Sequence, residues 1–174
     1  MAGQHGFART LPWTVKSFNG DRAVLSLSHS EHTMKLWPYE FALEFEVVLN
    51  ESSLTCSFAV KNLGKCAFDF TSLLHTYFAI GEISSVRIEG LQGLKYLDKL
   101  HDYQEFNEDR SVIDSINCEV DRNYLNVPGK VSLHSSNADF EICSDFKDLV
   151  VWNPWIEKSK SMSDFDDEEV RAMQ

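Results

Sequence analysis

Apolar and polar positions alternate with a period of two over much of the chain. Phe41, Leu43, Phe45 and Val47 alternate with Ala42, Glu44, Glu46 and Val48, the pattern of a half-buried strand. Asn50, Glu51 and Ser52 supply a turn, the run 54–60 leads back, and Asn62, Leu63, Gly64 and Lys65 form the next turn. Residues 13–16, 23–28, 86–88, 95–98, 118–125, 130–134, 139–143 and 149–152 read the same way, with turns at 90–93 and at Pro128-Gly129. Many short strands separated by turn residues predict an antiparallel all-β sandwich or barrel, with 1–174 as a single domain. Helix is scarce. Residues 30–37 could make one or two turns before Pro38 ends them, and 164–172 could form a terminal helix capped by Ser163 or Asp164.

One stretch breaks the monotony. His75 sits in an apolar, aromatic-flanked run, 73–78, with Phe68 and Phe70 before it and Ala79, Ile80 and Gly81 after. Read as a strand, His75, Tyr77 and Ala79 share one face and Leu74, Thr76 and Phe78 the other. A titratable ring beside a phenol in hydrophobic surroundings is either a satisfied core histidine or a working acid–base group. The stretch alone leaves both readings open.

Composition narrows the classes. At 174 residues and 43% hydrophobic, with four tryptophans, the chain can bury a substantial core. A formal net charge of -11 without a Lys/Arg-rich block argues against nucleic acid as a partner, though one or two local arginines could still hold a small anion. Part of the acidity lies in 164–169, read as a solvated face or a helix start. Cys56, Cys66, Cys118 and Cys143 are widely spaced and form no CxxC pair, which points to four unpaired, partly buried thiols in a reducing compartment and to no zinc site. Residues 1–6 lack the charged and apolar regions of a signal peptide, and no run approaches the roughly 18 apolar residues of a membrane span. A soluble, cytoplasmic protein without a membrane partner is expected.

Three further stretches combine polar groups with rigid neighbours. Gln4, His5, Gly6, Phe7, Ala8 and Arg9 precede Leu11, Pro12 and Trp13. Glycine permits close backbone approach and arginine offers a planar fork for phosphate, whereas position at a chain end by itself favours a frayed segment. Asp121 and Arg122 are adjacent, so on a strand they face opposite sides and one faces inward, either paired or functional. Trp152 and Trp155 flank Asn153-Pro154 as a rigid aromatic wall, suited to stacking a sugar or to plugging one end of a sandwich.

In this order, on an all-β chain, these stretches resemble the hexose-6-phosphate mutarotases (glucose-6-phosphate 1-epimerases) of the aldose 1-epimerase superfamily. The matching text is His5-Gly6-Phe7-Ala8-Arg9 with Trp13, then Leu74-His75-Thr76-Tyr77-Phe78. Gly90-Leu91 through Tyr96-Leu97-Asp98, Asp121-Arg122 with Tyr124, and Val151-Trp152-Asn153-Pro154-Trp155 follow, with Trp37-Pro38, Phe41 and Asp164-Phe165 also fitting. The resemblance implies a galactose-mutarotase-like sandwich, or supersandwich, that uses neither metal nor cofactor. It implies an isomerase that interconverts α and β anomers of a hexose 6-phosphate. A glutamate takes the anomeric proton while a histidine protonates the ring oxygen, the ring opens, C1–C2 rotates, and closure reverses the transfers. Carried over by motif, His75 is the general acid, Asp121 holds sugar hydroxyls, and Gln4 contacts the substrate. Arg9 binds the substrate near its phosphate, and His5 matches a second ring-contacting histidine. The implied partner is a small sugar phosphate, bound by a monomer.

Two family segments have no counterpart in this text. The base glutamate belongs to a Val-Cys-Val-Glu-like strand that Glu168 and Glu169 do not match, and a Gly-Gly-Ile-Pro-like stretch with another arginine normally precedes His5. The expectation is therefore a chain truncated at both ends. The alternative to an enzyme is a sugar-phosphate-binding sandwich that is catalytically incomplete.

Overall fold

A computed structural model describes residues 5–114 and 116–162. Gln4 and the expected helix over 164–172 lie outside the described residues. The chain forms two compact units, Met1–Leu74 and His75–Gln174.

The first unit is one antiparallel sheet in the order β1-β2-β3-β4, formed by Thr14–Phe18, Arg22–Ser28, Phe41–Leu49 and Leu54–Asn62. The expected hairpin is in register from Phe41↔Asn62 to Leu49↔Leu54, closed by the Asn50 amide donating to the Ser53 carbonyl at 2.8 Å. Its alternation buries Phe41 and Leu43 on one face, joined by Leu27 of β2. Phe7, Leu11, Trp13, Trp37 and Phe68 pack against that cluster. Helix α1, Glu31–Leu36, is one of the expected short helices. The Ser30 hydroxyl accepts from the Thr33 amide at 3.3 Å and the Thr33 hydroxyl accepts from the Ser30 amide at 2.8 Å, so both orphan donors are satisfied.

The second unit carries two four-stranded antiparallel sheets. One has the order β11-β10-β5-β8 and the other β12-β9-β6-β7. Their strands are β5 (Arg87–Glu89), β6 (Lys95–Asp98), β7 (Gln104–Asn107), β8 (Val112–Asp114), β9 (Val120–Tyr124), β10 (Lys130–His134), β11 (Asp139–Cys143) and β12 (Leu149–Asn153). Ile88, Val131 and Leu133 of the first sheet share one core with Tyr96, Val120 and Tyr124 of the second. Burial of this apolar set out of water is the main stabilising contribution.

Two expectations need correction. Residues 67–80, including the run around His75, form no strand. Leu74, Phe78 and Ile80 are half-buried while His75, Thr76, Tyr77 and Ala79 are exposed, so the period of two holds from Tyr77 to Ile80 without a ladder and is broken at Thr76. All four cysteines are exposed rather than partly buried, because they stand on outward positions of strands or in loops. Two strands and a helix also went unanticipated. β7 is exposed at all four positions, so burial left no alternation to read. β8 has only three residues, and helix α2, Trp155–Ser159, begins directly after Pro154.

Candidate functional site

The site is built on β9 and β12. Tyr96, Val120 and Tyr124 belong to the core, so Asp121 and Asn123, one residue out of phase, project from the opposite face. In the register Trp152 lies directly across from Asp121, which places their side chains side by side on that face. Asp121 is only 8% exposed, and its Oδ2 lies 3.2 Å from the Lys99 ammonium. Arg122 takes the other face, with its Nε 3.4 Å from Asp98 Oδ2 and its guanidinium 4.9 Å from the centre of the Tyr96 ring. Both members of the Asp-Arg dipeptide are thus paired.

His75 reaches the same face from the extended segment. Its ring stacks on Tyr77 at 4.9 Å between centroids and meets the edge of Trp152 at 5.8 Å. Tyr77 lies 6.4 Å from Trp152, nearly perpendicular. The ring expected in hydrophobic surroundings is instead exposed, on an aromatic platform. Phe78, of opposite parity, turns to Phe140 at 5.1 Å and to the core, which fixes the facing of its neighbours. The two tryptophans of the Asn-Pro turn divide the roles left open for them. Trp152 forms the platform and Trp155 packs against the core, its amide donating to Asn153 Oδ1 at 2.9 Å. Imidazole, phenol, indole and a paired carboxylate so converge on one surface.

Under that surface runs a buried polar network that was not anticipated. Glu108 is 2% exposed and receives Arg110 Nε at 2.7 Å, Arg110 Nη2 at 2.8 Å and the Tyr124 hydroxyl at 2.8 Å. Burial pushes the Glu108 carboxyl up, but the hydrogen bonds from Arg110 and Tyr124 outweigh it and hold the group below its usual value. Burial, then the Glu108 carboxylate, raises the Tyr124 phenol well above its ordinary range. This network anchors β9 from the core side. Lys99 was also missed. Its only signal in the sequence was that Asp98-Lys99 repeats the acid-then-base order of Asp121-Arg122, and the antiparallel β6–β9 pairing that makes it meaningful is not readable locally.

In the first unit, His5 and Gly6 both adopt positive φ, 66° and 69°, and lead into Phe7. Phe7 packs on Phe41 at 5.8 Å, and Trp13 Nε1 donates to the Ala8 carbonyl at 2.9 Å. The segment from Phe7 is therefore anchored rather than frayed. His5 and Arg9 are exposed. Among the described residues no group of three or more His, Cys, Asp or Glu is arranged to hold a metal ion.

The profile described as Aldose 1-epimerase matches residues 2–173. The chain belongs to the aldose 1-epimerase family. Two relatives, from Cenchrus ciliaris and from Escherichia coli, carry the name "Putative glucose-6-phosphate 1-epimerase". The first is 36% identical over 185 residues, covering 98% of this chain and 56% of the relative. The second is 36% identical over 172 residues, covering 94% and 56%. A solved structure of a "putative mutarotase" from Salmonella typhimurium superposes with a TM-score of 0.80 at 31% identity, covering 95% of this chain and 56% of that one. A galactose mutarotase related enzyme from Lactobacillus acidophilus, 17% identical with a TM-score of 0.63 over 87% of this chain and 57% of its own, shares the fold. The family fold is thus the antiparallel galactose-mutarotase-like one expected. The chain spans about half the length of the curated relatives it matches.

Proposed function

We propose that the protein is an isomerase that interconverts the α and β anomers of a hexose 6-phosphate by acid–base ring opening. The observation that carries this reading is the family match from residue 2 to residue 173, shared with relatives named for glucose 6-phosphate. The same continuous match across both units supports reading them as parts of a single domain. His75 acts as the general acid toward the ring oxygen, its ring held by Tyr77 and Trp152. Trp152 offers an apolar surface for the sugar, and beside it Asp121 accepts from the sugar hydroxyls. Arg9 serves the phosphate, and Gln4 and His5 contact the substrate. The base is assigned to none of the described residues. The reading includes a cytoplasmic protein that works as a monomer without metal or cofactor. No helix of the described residues is long and apolar enough to cross a membrane.

Anomer exchange of glucose 6-phosphate, followed by NMR at equilibrium, tests the proposal. Wild-type protein is expected to exchange the anomers faster than the spontaneous background. His75→Ala should lose about 10²–10⁴-fold of that excess, the usual worth of a general acid. Exchange equal to background with folded wild-type protein would overturn the isomerase reading, and binding without exchange would establish the incomplete, sugar-phosphate-holding sandwich instead.

A further inference from the structure

Two consecutive charges close β6 and continue into the next turn, Asp98 then Lys99, and two consecutive charges stand in β9, Asp121 then Arg122. They pair crosswise. Asp98 meets Arg122 at 3.4 Å on the core side, where the two are also partners in the strand register. Lys99 meets Asp121 at 3.2 Å on the side of Trp152.

The turn that presents Lys99 is held from several directions. Asp98 Oδ1 accepts the Leu100 amide at 2.9 Å and the Asp98 carbonyl accepts the Tyr103 amide at 2.9 Å. Asp102 and Tyr103 follow with φ of 52° and 59°, a tight reversal. Lys99 therefore comes from a fixed backbone, although its own side chain is 54% exposed.

A carboxylate as buried as Asp121 needs a partner, since an uncompensated charge away from water is strongly unfavourable. Among the described residues that partner is Lys99, and it engages one carboxylate oxygen, Oδ2. An ionised carboxylate is acceptor-only, with room for further donors on its other oxygen.

We propose that Lys99 is a positioning residue of the sugar site, pinning Asp121 Oδ2 so that the carboxylate meets the hydroxyls of a hexose ring in one orientation. The inference rests on the sugar-site reading of Asp121 given above. Lys99 acts through Asp121 and not on the sugar. Its removal should therefore weaken ground-state and transition-state binding together, raising KM with little change in kcat.

The test is a double-mutant cycle on the full chain, with glucose 6-phosphate affinity measured by ligand-observed NMR for wild type, Lys99→Met, Lys99→Arg, Asp121→Asn and the double variant. Lys99→Met is expected to weaken binding about tenfold, as for a hydrogen bond to a charged group. Lys99→Arg should keep affinity within about threefold, because a cation is restored at the same place. In the Asp121→Asn background, Lys99→Met should add nothing. Lys99→Met binding as tightly as wild type would overturn the proposal. So would an equal loss in both backgrounds, which would make Lys99 a direct contact to the phosphate. Folded wild type that neither binds nor exchanges the sugar would overturn the mutarotase reading itself, and this proposal with it.

Discussion

At the scale of single residues, Glu108 shows how polar groups are afforded inside this core. A lone carboxylate at 2% exposure would be expelled or protonated, yet two nitrogens of Arg110 and the Tyr124 hydroxyl converge on it. Because the fold lowers the Glu108 pKa, its contribution to stability is present above the unfolded carboxyl value of 4.5 and is lost as pH falls through the lower folded value. Tyr124 works in the opposite sense. The fold raises its pKa, so its contribution is complete below the unfolded value of 10.0 and is lost as pH climbs through the folded one. Glu108→Gln should therefore cost about 1.5–3 kcal/mol at neutral pH, since it removes the buried charge that accepts from Arg110 and Tyr124. It should also flatten the acid side of the stability profile. Urea midpoints measured from pH 3 to pH 8 would check both; a variant with the wild-type acid slope would remove Glu108 from the account.

At the scale of elements, a tight approach joins the β5–β6 turn to β10. Gly90 has φ of 99°, and a Cβ added there would lie 3.0 Å from the Lys130 carbonyl oxygen, backbone that cannot swing aside. Gly90→Ala should destabilise the protein by about 1–3 kcal/mol through strain at that φ and displacement of β10. Thermal unfolding would show it as a lowered Tm, and an unchanged Tm would mean the turn can relax. Strand existence was legible in the longer alternating runs: β3 and β4 run as their alternation predicts, and β10 and β11 match at both ends. It was not legible in β7, whose exposed and mostly polar residues show no alternation and pair with β6 in a ladder. The His75 segment erred in the reverse direction. Its apolar alternation is real, but the inward residues pack on the core without pairing their backbone in a sheet.

At the scale of the whole molecule, the net charge of -11 sets long-range behaviour. With 16 Lys and Arg against 27 Asp and Glu, the protein should pass through heparin at about 0.1 M salt without retention and leave duplex DNA unshifted. Retention in either assay would reveal a basic surface that the sum conceals. Under the proposed mutarotase function, an anionic sugar phosphate would be attracted locally rather than by the field of the protein, which gives weight to single cations such as Arg9.

The residues of the candidate site and the all-β class were written in the sequence, because chemistry needs particular side chains and half-buried strands impose a period of two. His75, Asp121 and Trp152 could each be singled out before any fold was known. What they do to one another could not. The cross-strand register of β9 and β12 seats Asp121 beside Trp152, and the pairing of β6 with β9 delivers Lys99 to the carboxylate. Register and strand neighbours are set by contacts far apart in the chain, so only the tertiary structure decided which charges meet and which aromatic ring faces His75.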